Sequence, residues 1–413
     1  MTNICLCFQV HHPFHFQEFR FFDIGSTKSY YDAIRIEREI NDAATNYYLP
    51  SNDFLLKLIK KYKGKLKVDF YISGTAIDQF LMYEPEVLNS FRQLANTGHV
   101  DFLGSTASHS LVTLTNQKEE LVYQIKDHQT KIEYFFGIKP QVFVNSDLIY
   151  SNMIGKDIAE AGYRAIITNG SKKTLVWRSP NYVYSNTYKS KMDVYFRNEQ
   201  VSDELANMLN NIDLREKDVN PNGFLSLITN LQKEEPLLNI YLDYKALGGL
   251  GIEKKQQFME TVISQINKSS TMSFVSPSEI SERVGSVAPI SASEPICWVN
   301  DFHSYYYPGN ELQVEAIKQL YLLQTNKGTS LEDDLNFQKD WQYLQTSDHI
   351  HLMDDQHPAY QDSNIENGIY KTKYDAFISY MNILDDFRLR LYHQTEKQEK
   401  KLSRKREPNR SRK

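Results

Sequence analysis

Leu-Leu-Asn-Ile-Tyr-Leu-Asp, residues 237–243, is an apolar run of strand length that closes on a carboxylate. A second run, Val-Phe-Val-Asn-Ser at 142–146, is followed in the same way by Asp147. An ionised carboxylate is costly to bury, so a strand that ends in one usually delivers it to a wet pocket or to a partner. One such residue is explained by capping of the next helix. Two of them, Asp147 and Asp243, favour a site.

Runs of strand length alternate with helical stretches over most of the first 280 residues. The predicted strands are Ile4–Val10, Leu66–Ser73, Val100–Leu103, Val142–Asn145, Ala165–Thr168, Met192–Phe196, Leu238–Leu242 and Met272–Val275. The predicted helices between them are Asn52–Tyr62, Pro85–Thr97, Lys118–Phe136, Asn152–Ala161 and Lys254–Lys268. This alternation predicts an α/β fold with a parallel sheet, and seven or eight units favour a distorted (β/α)7-type parallel barrel.

The character of the chain changes at about Trp298. Glu311–Leu323, Leu335–Gln345 and Lys373–Tyr392 have the periodicity of amphipathic helices, and no strand is predicted between them. We therefore predict a catalytic barrel over 1–296, a C-terminal helical region packed on it over 297–394, and a basic disordered tail over 395–413.

Composition excludes several classes of protein. The three cysteines and the N-terminus, which has no basic region before an apolar one, favour a cytoplasmic location. No apolar stretch approaches the roughly 18–20 residues that span a bilayer, so we expect no membrane association. The tail has nine basic and three acidic residues, a local charge of +6, which leaves −11 on the rest of the chain. An acidic body argues against a nucleic-acid partner.

Polar side chains follow several of the predicted strands directly. The first strand leads to His11 and His12, the second to Ser73, and the third to a loop that contains His109. Strand C-termini of a parallel barrel converge on one mouth, so we expect these side chains to meet Asp147 and Asp243 there. Facing acids are the minimum equipment for cleaving a glycosidic bond.

These residues also fall in motifs that resemble those of glycoside hydrolase family 57, in particular its α-amylase-type branch. The resemblance covers the chain to about residue 390. The motifs are His11-His12-Pro13, Gly98–Phe102 followed by His109-Ser110-Leu111, Phe143–Tyr150, Tyr241–Tyr244, Cys297-Trp298, Gly309–Gln313 and Gln345–His349.

The resemblance implies a (β/α)7 barrel, retaining chemistry on α-glucans or maltooligosaccharides, and no required metal or other cofactor. Asp147 occupies the position of the nucleophile and Asp243 that of the general acid/base. The implied substrate-binding residues are His11, His12, His109, Trp298, Asp348 and His349.

Three positions depart from the family pattern. Asp147 stands where the family has Glu, Lys245 stands where the fourth motif continues with Glu, and Ser105 stands where α-amylase-type members often carry Glu. The shorter Asp147 withdraws the attacking oxygen by on the order of 1 Å, which can cost roughly 100-fold in rate. An inward-pointing Lys245 would hold Asp243 ionised, whereas an outward-pointing one would be harmless.

Three functional hypotheses follow. The first is an α-glucan hydrolase or transglycosylase that is either slowed by the short Asp147 or has a repositioned backbone that lets Asp147 reach. The second is an inactive homologue that keeps the cleft as an α-glucan-binding module. The third is a metal-dependent deacetylase, in which His11, His12, His109 and a strand-end Asp would form a His/His/Asp metal site. Ser105 stands where such a site would favour a second histidine near His109.

Overall fold

Alternating strands and helices occupy the N-terminal two thirds of the chain. The computed structural model describes residues 1–170, 172–212, 220–231, 235–297, 309–324, 334–354 and 369–406. The strands are β1 (Thr2–Val10), β2 (Val68–Ile72), β3 (Val100–Phe102), β4 (Val142–Val144), β5 (Ala165–Asn169), β6 (Tyr184–Asn186), β7 (Asp193–Arg197), β8 (Leu237–Asp243), β9 (Met272–Phe274) and β10 (Ala288–Ile290).

The helices of this part are α1 (Ala33–Ala43), α2 (Leu49–Lys61), α3 (Gly74–Tyr83), α4 (Pro85–Ala95), α5 (Lys118–Phe136), α6 (Asn152–Glu160), α7 (Lys172–Leu175), α8 (Glu199–Asn210), α9 (Pro221–Leu231), α10 (Ile252–Lys268) and α11 (Pro277–Arg283). A π-helical turn, Ala44–Tyr48, joins α1 to α2. Every predicted strand is present. Strands β6 (Tyr184–Asn186) and β10 (Ala288–Ile290) were not predicted.

Parallel pairings close these strands into a ring. Strand β1 pairs with β2 on one edge and with β8 on the other, β2 pairs with β3, β4 with β5, β5 with β7, and β7 with β8. The bridge between Gly104 and Phe143 joins the end of β3 to β4. Strands β2 and β9 pair with the same edge of β1: β2 with Cys7–Val10 and β9 with Thr2–Ile4. Strand β9 therefore adds no further member to the ring. The predicted (β/α)7 parallel barrel is confirmed.

Strand alternation decides which side chains face the barrel interior. Cys5 and Cys7 of β1, Tyr71 of β2, and Leu237 and Tyr241 of β8 belong to one buried cluster. Successive side chains of a strand point to opposite faces. The same face therefore continues to Gln9 and His11 after β1, to Ser73 after β2, and to Asp243 at the end of β8.

The described residues divide into two compact units. The barrel unit contains Met1–His12, Ile36–His109 and the described residues of Thr113–Tyr307, and the second unit contains Pro13–Arg35, Ser110–Val112 and the described residues of Pro308–Lys413. The C-terminal stretch of the second unit begins at Pro308, near the predicted start of the helical region at 297. The contribution of Pro13–Arg35 to the second unit was not predicted. The packing of the helical region on the barrel stays a prediction.

The second unit is built from helices α12 (Glu311–Gln324), α13 (Leu335–Leu344), α14 (Ser347–His351) and α15 (Lys373–Arg406). Aromatic side chains fix the N-terminal segment in this unit: Phe14 stacks on Tyr343 with 3.6 Å between ring centroids. Buried Asp386 accepts hydrogen bonds from the Tyr30 hydroxyl and the Gly25 amide. These contacts explain why a segment distant in sequence joins the C-terminal helices.

The predicted disordered tail is wrong over its first part, because α15 continues to Arg406. The residues from 395 to 406 are mostly Lys, Glu, Gln and Arg, which are good intrinsic helix formers and extend a helix that is already nucleated. Residues 407–413 lie outside the described residues. Among the described helices, none combines the length and the hydropathy that a bilayer span requires.

Candidate active site

Two histidines from the ends of β1 and β3 stack on each other at the mouth of the barrel. The ring centroids of His11 and His109 are 4.0 Å apart, with 27° between the ring planes. A hydrogen bond of 2.8 Å joins His11 Nδ1 to Ser73 Oγ, and one of 2.6 Å joins His109 Nδ1 to the Tyr71 hydroxyl. Side chains that follow β1, β2 and β3 therefore hold one another in place.

Asp147 faces this histidine pair. Its Oδ1 lies 3.7 Å from His109 Nε2, and 19% of its side-chain surface is exposed. Asp147 and Leu148 both have left-handed backbone, with φ of 54° and 53°, and His109 has φ of 51°. A left-handed conformation costs a non-glycine residue roughly 1–2 kcal/mol, although Asp tolerates it better than most.

The surrounding structure holds this strained turn. Leu148 is buried, and its carbonyl accepts a hydrogen bond of 2.8 Å from Thr168 Oγ1. Asn145 Nδ2 donates to the carbonyl of Ile149 at 3.0 Å. Strained residues persist where packing over-determines them, and such residues cluster at active sites. The turn therefore aims the Asp147 carboxylate at His109.

Asp243 ends β8 on the interior face. Its Oδ1 accepts a hydrogen bond of 2.7 Å from the Lys245 amide, which caps the short 3₁₀ turn Tyr244–Leu247. The surrounding protein raises the pKa of the Asp243 carboxyl, whereas the Lys245 amide and the positive charges of Lys245 and His11 oppose that rise. The side chain keeps solvent exposure, which limits the size of the shift.

His11 connects the surroundings of the two carboxylates. It stacks on His109, which faces Asp147, and its charge acts on Asp243. The order of strands around the ring places Asp243 beside His11, because β8 pairs with β1. The structure thus brings His11, His109, Asp147 and Asp243 to the same end of the barrel.

Two other predicted substrate-binding residues, His12 and His349, are buried. His12 has the opposite strand parity from His11: its Nε2 is joined to the Tyr48 hydroxyl at 2.7 Å, and 4% of its surface is exposed. His349 stacks on Phe16 in the second unit, with centroids 3.7 Å apart, and is equally buried. Aromatic side chains enclose both histidines, but His109 is just as buried at 3% exposure, so the contact of His12 and His349 with substrate stays a prediction.

For Asp348 and Trp298, the two other predicted substrate-binding residues, the role stays a prediction. Asp348 is half-buried in the first turn of α14, and its contact with a substrate stays a prediction. Trp298 lies outside the described residues. No group of three or more His, Cys, Asp or Glu side chains in the described ranges is arranged to hold a metal ion. The ligand set of the deacetylase hypothesis does not form, because His12 faces away from His11.

A further acid, Glu199, lies after a strand and was not predicted as a site residue. Glu199 follows β7 by two residues, and its carboxylate accepts a hydrogen bond from the side chain of Asn169, the last residue of β5. Asn169 Nδ2 also lies 3.4 Å from the carbonyl of Cys297. The rule that pointed to Asp147, a carboxylate directly after a strand, would have found Glu199 as well.

Comparison with known proteins decides the family. The sequence model described as "Glycosyl hydrolase family 57" matches residues 5–293. The chain belongs to glycosyl hydrolase family 57. The resemblance inferred from the motifs is confirmed, and four of those motifs supply His11, His109, Asp147 and Asp243.

One curated relative from Methanocaldococcus jannaschii, named "Putative alpha-amylase", is 29% identical over 395 residues, which are 92% of this chain and 83% of the relative. The solved structure of the alpha-amylase AmyC from Thermotoga maritima matches with a TM-score of 0.62 at 12% identity, over 96% of this chain and 93% of that one. A GH57-type branching enzyme from Pyrococcus horikoshii matches with a TM-score of 0.62 and 12% identity, over 85% of each chain.

The 4-alpha-glucanotransferase from Thermococcus litoralis also matches, with a TM-score of 0.62 and 12% identity over 84% of this chain. This family 57 chain spans 56% of the length of that enzyme. At this level of identity, the structural matches establish the shared fold.

Proposed function

We propose that this family 57 chain is a retaining glycoside hydrolase or transglycosylase that acts on α-glucans or maltooligosaccharides. Asp147 attacks the anomeric carbon, and Asp243 protonates the leaving oxygen and then activates water. His11 and His109 bind sugar hydroxyls beside the reacting carbon. The names of the matched proteins, which include an alpha-amylase and a 4-alpha-glucanotransferase, support this substrate class.

The observation that carries the proposal is the different surroundings of the two carboxylates. A general acid must be protonated at working pH, and desolvation by the surrounding protein raises the pKa of the partly exposed Asp243 in the required direction. A nucleophile must be aimed, and the strained turn directs Asp147 towards His109. Two carboxylates with different roles can be told apart because their environments push their pKa values apart.

A purified full-length protein tests the assignment with maltooligosaccharides and an aryl α-glucoside as substrates. We expect Asp243→Asn and Asp147→Asn each to lower kcat by roughly 10²–10⁴. The matched control is Asp53→Asn, because Asp53 is exposed and pairs with Lys57 on the surface of α2. Retention of anomeric configuration, followed by proton NMR, is expected. Inversion, or turnover that survives Asp243→Asn, would refute the assignment.

A second candidate is an α-glucan-binding protein without turnover. The positive charge of Lys245 favours it, because that charge lowers the pKa of Asp243 and so weakens a general acid. The same experiment separates the two candidates. Binding of maltooligosaccharides by calorimetry, with no release of reducing ends under any tested condition, would establish the binding protein.

A further inference from the structure

A cavity of about 510 Å³ adjoins Asp243 on the side of β7 and α10. Ligand pockets in proteins have volumes of about 300–1,000 Å³, so the space is sufficient for a small ligand. Its charged lining consists of Arg197, Asp203, Asp243, Lys245 and Lys255. The basic side chains outnumber the acidic ones, and protonation of Asp243 would increase that excess.

The three cations differ in how their charge is compensated. The Arg197 guanidinium pairs with Asp203, and its Nε donates to the Tyr241 carbonyl at 2.8 Å. Lys255 Nζ donates to the carbonyl of Gly248 at 2.7 Å, which is a neutral acceptor. Lys245 is half-buried and forms no ion pair with any side chain in the described ranges. Beside the Arg197–Asp203 pair, the lining thus holds two lysines and one carboxylate, Asp243, which leaves a formal excess of one positive charge.

A close backbone contact forms one wall of the cavity. Gly248 and Gly249 close on the π-helical turn, where the Gly249 amide donates to the Asn46 carbonyl at 2.8 Å. A Cβ on Gly248 would lie 2.5 Å from Tyr47 Cα, so only glycine permits this approach. Such preorganisation lowers the cost of ordering a bound ligand.

We propose that this cavity binds the anionic group of a charged sugar, a phosphate or a carboxylate, with Lys245 as its principal cation. The proposed glycosidase function enters this proposal at one point: it is the reason for taking a sugar as the molecule that carries the anionic group. It defines the substrate class further: a glucoside or glucan with an anionic substituent close to the bond that Asp243 serves. Half-buried lysines are suitable point-charge partners for phosphate.

The test is calorimetric binding of glucose 6-phosphate, glucuronate, inorganic phosphate and glucose to the full-length protein. We expect one of the two charged sugars to bind at least tenfold more tightly than glucose. Its affinity should fall with added salt, because salt screens charge. Lys245→Gln should weaken that binding at least tenfold, and Lys245→Glu should abolish it. Lys126→Gln, which removes an exposed lysine from α5, should leave it unchanged.

Three results would overturn the proposal: equal affinity for charged and neutral sugars, inorganic phosphate binding as tightly as both charged sugars, or binding that Lys245→Gln leaves intact. Turnover of neutral maltooligosaccharides is measured in parallel, which separates the two assignments. Asp243-dependent turnover without anion binding would refute the cavity alone. Lys245-dependent binding of a charged sugar without turnover of any substrate would refute the glycosidase alone.

Discussion

Replacement of Tyr71 by Phe tests whether the histidine pair is held by its neighbours. The Tyr71 hydroxyl lies 2.6 Å from His109 Nδ1, and the two residues are 0% and 3% exposed. Removing one partner of a buried hydrogen bond costs roughly 1–3 kcal/mol, because the remaining group has been desolvated. We expect Tyr71→Phe to lower the free energy of unfolding by about that amount.

The same substitution should slow the reaction more than it destabilises the fold. Tyr71 fixes the ring whose Nε2 faces Asp147 at 3.7 Å, and a misplacement of about 1 Å can cost roughly 100-fold in rate. Urea unfolding followed by fluorescence measures the stability, and the release of reducing ends measures kcat/KM. Tyr134→Phe is the control, since that side chain is exposed on α5. Wild-type stability together with wild-type kcat/KM in Tyr71→Phe would refute the reasoning.

Three further substitutions address charge and packing. Lys245→Gln removes a cation that lowers the pKa of Asp243, so the alkaline limb of kcat/KM should move to higher pH; an unmoved limb would contradict this. Burial, and then the charge of Asp101, raises the pKa of the Asp69 carboxyl. The fold therefore favours the protonated form of Asp69, so the stability that this residue contributes is present in acid and is lost as pH rises. Asp69→Asn should thus raise Tm at pH 8 and converge with wild type near pH 4 in scanning calorimetry, and a constant difference would contradict it. Gly248→Ala should destabilise by roughly 1–3 kcal/mol in urea unfolding, because its Cβ meets the Tyr47 backbone. In Gly285→Ala the added Cβ meets no atom within 4 Å, so equal losses in the two variants would argue against this clash.

The strand ends were predictable from sequence because parallel strands share one direction. Asp147 and Asp243 are separated by 96 positions, yet both follow apolar runs, and both lie at the same end of the barrel. The alternation of side chains, applied past Val10, would also have separated His11 from His12. That separation follows from the two-residue period of a strand and needs no knowledge of the tertiary contacts.

Other features depend on contacts that no local pattern reports. His349 is buried because Phe16, more than three hundred positions earlier, stacks on its ring. The strained backbone at His109 and Asp147 likewise depends on packing from several strands. Sequence resemblance gave these positions a role, but the neighbours that surround each of them are visible only in the fold.

Lys245 links the chemistry of Asp243 to the charge of a bound ligand. With the cavity empty, the ammonium lowers the pKa of Asp243 and opposes its use as an acid. A bound phosphate or carboxylate would compensate that ammonium, so the pKa of Asp243 would rise again when the charged sugar is in place. A neutral glucan provides no such compensation. The cation that opposes the acid role of Asp243 would then make catalysis faster on an anionic substrate than on a neutral one.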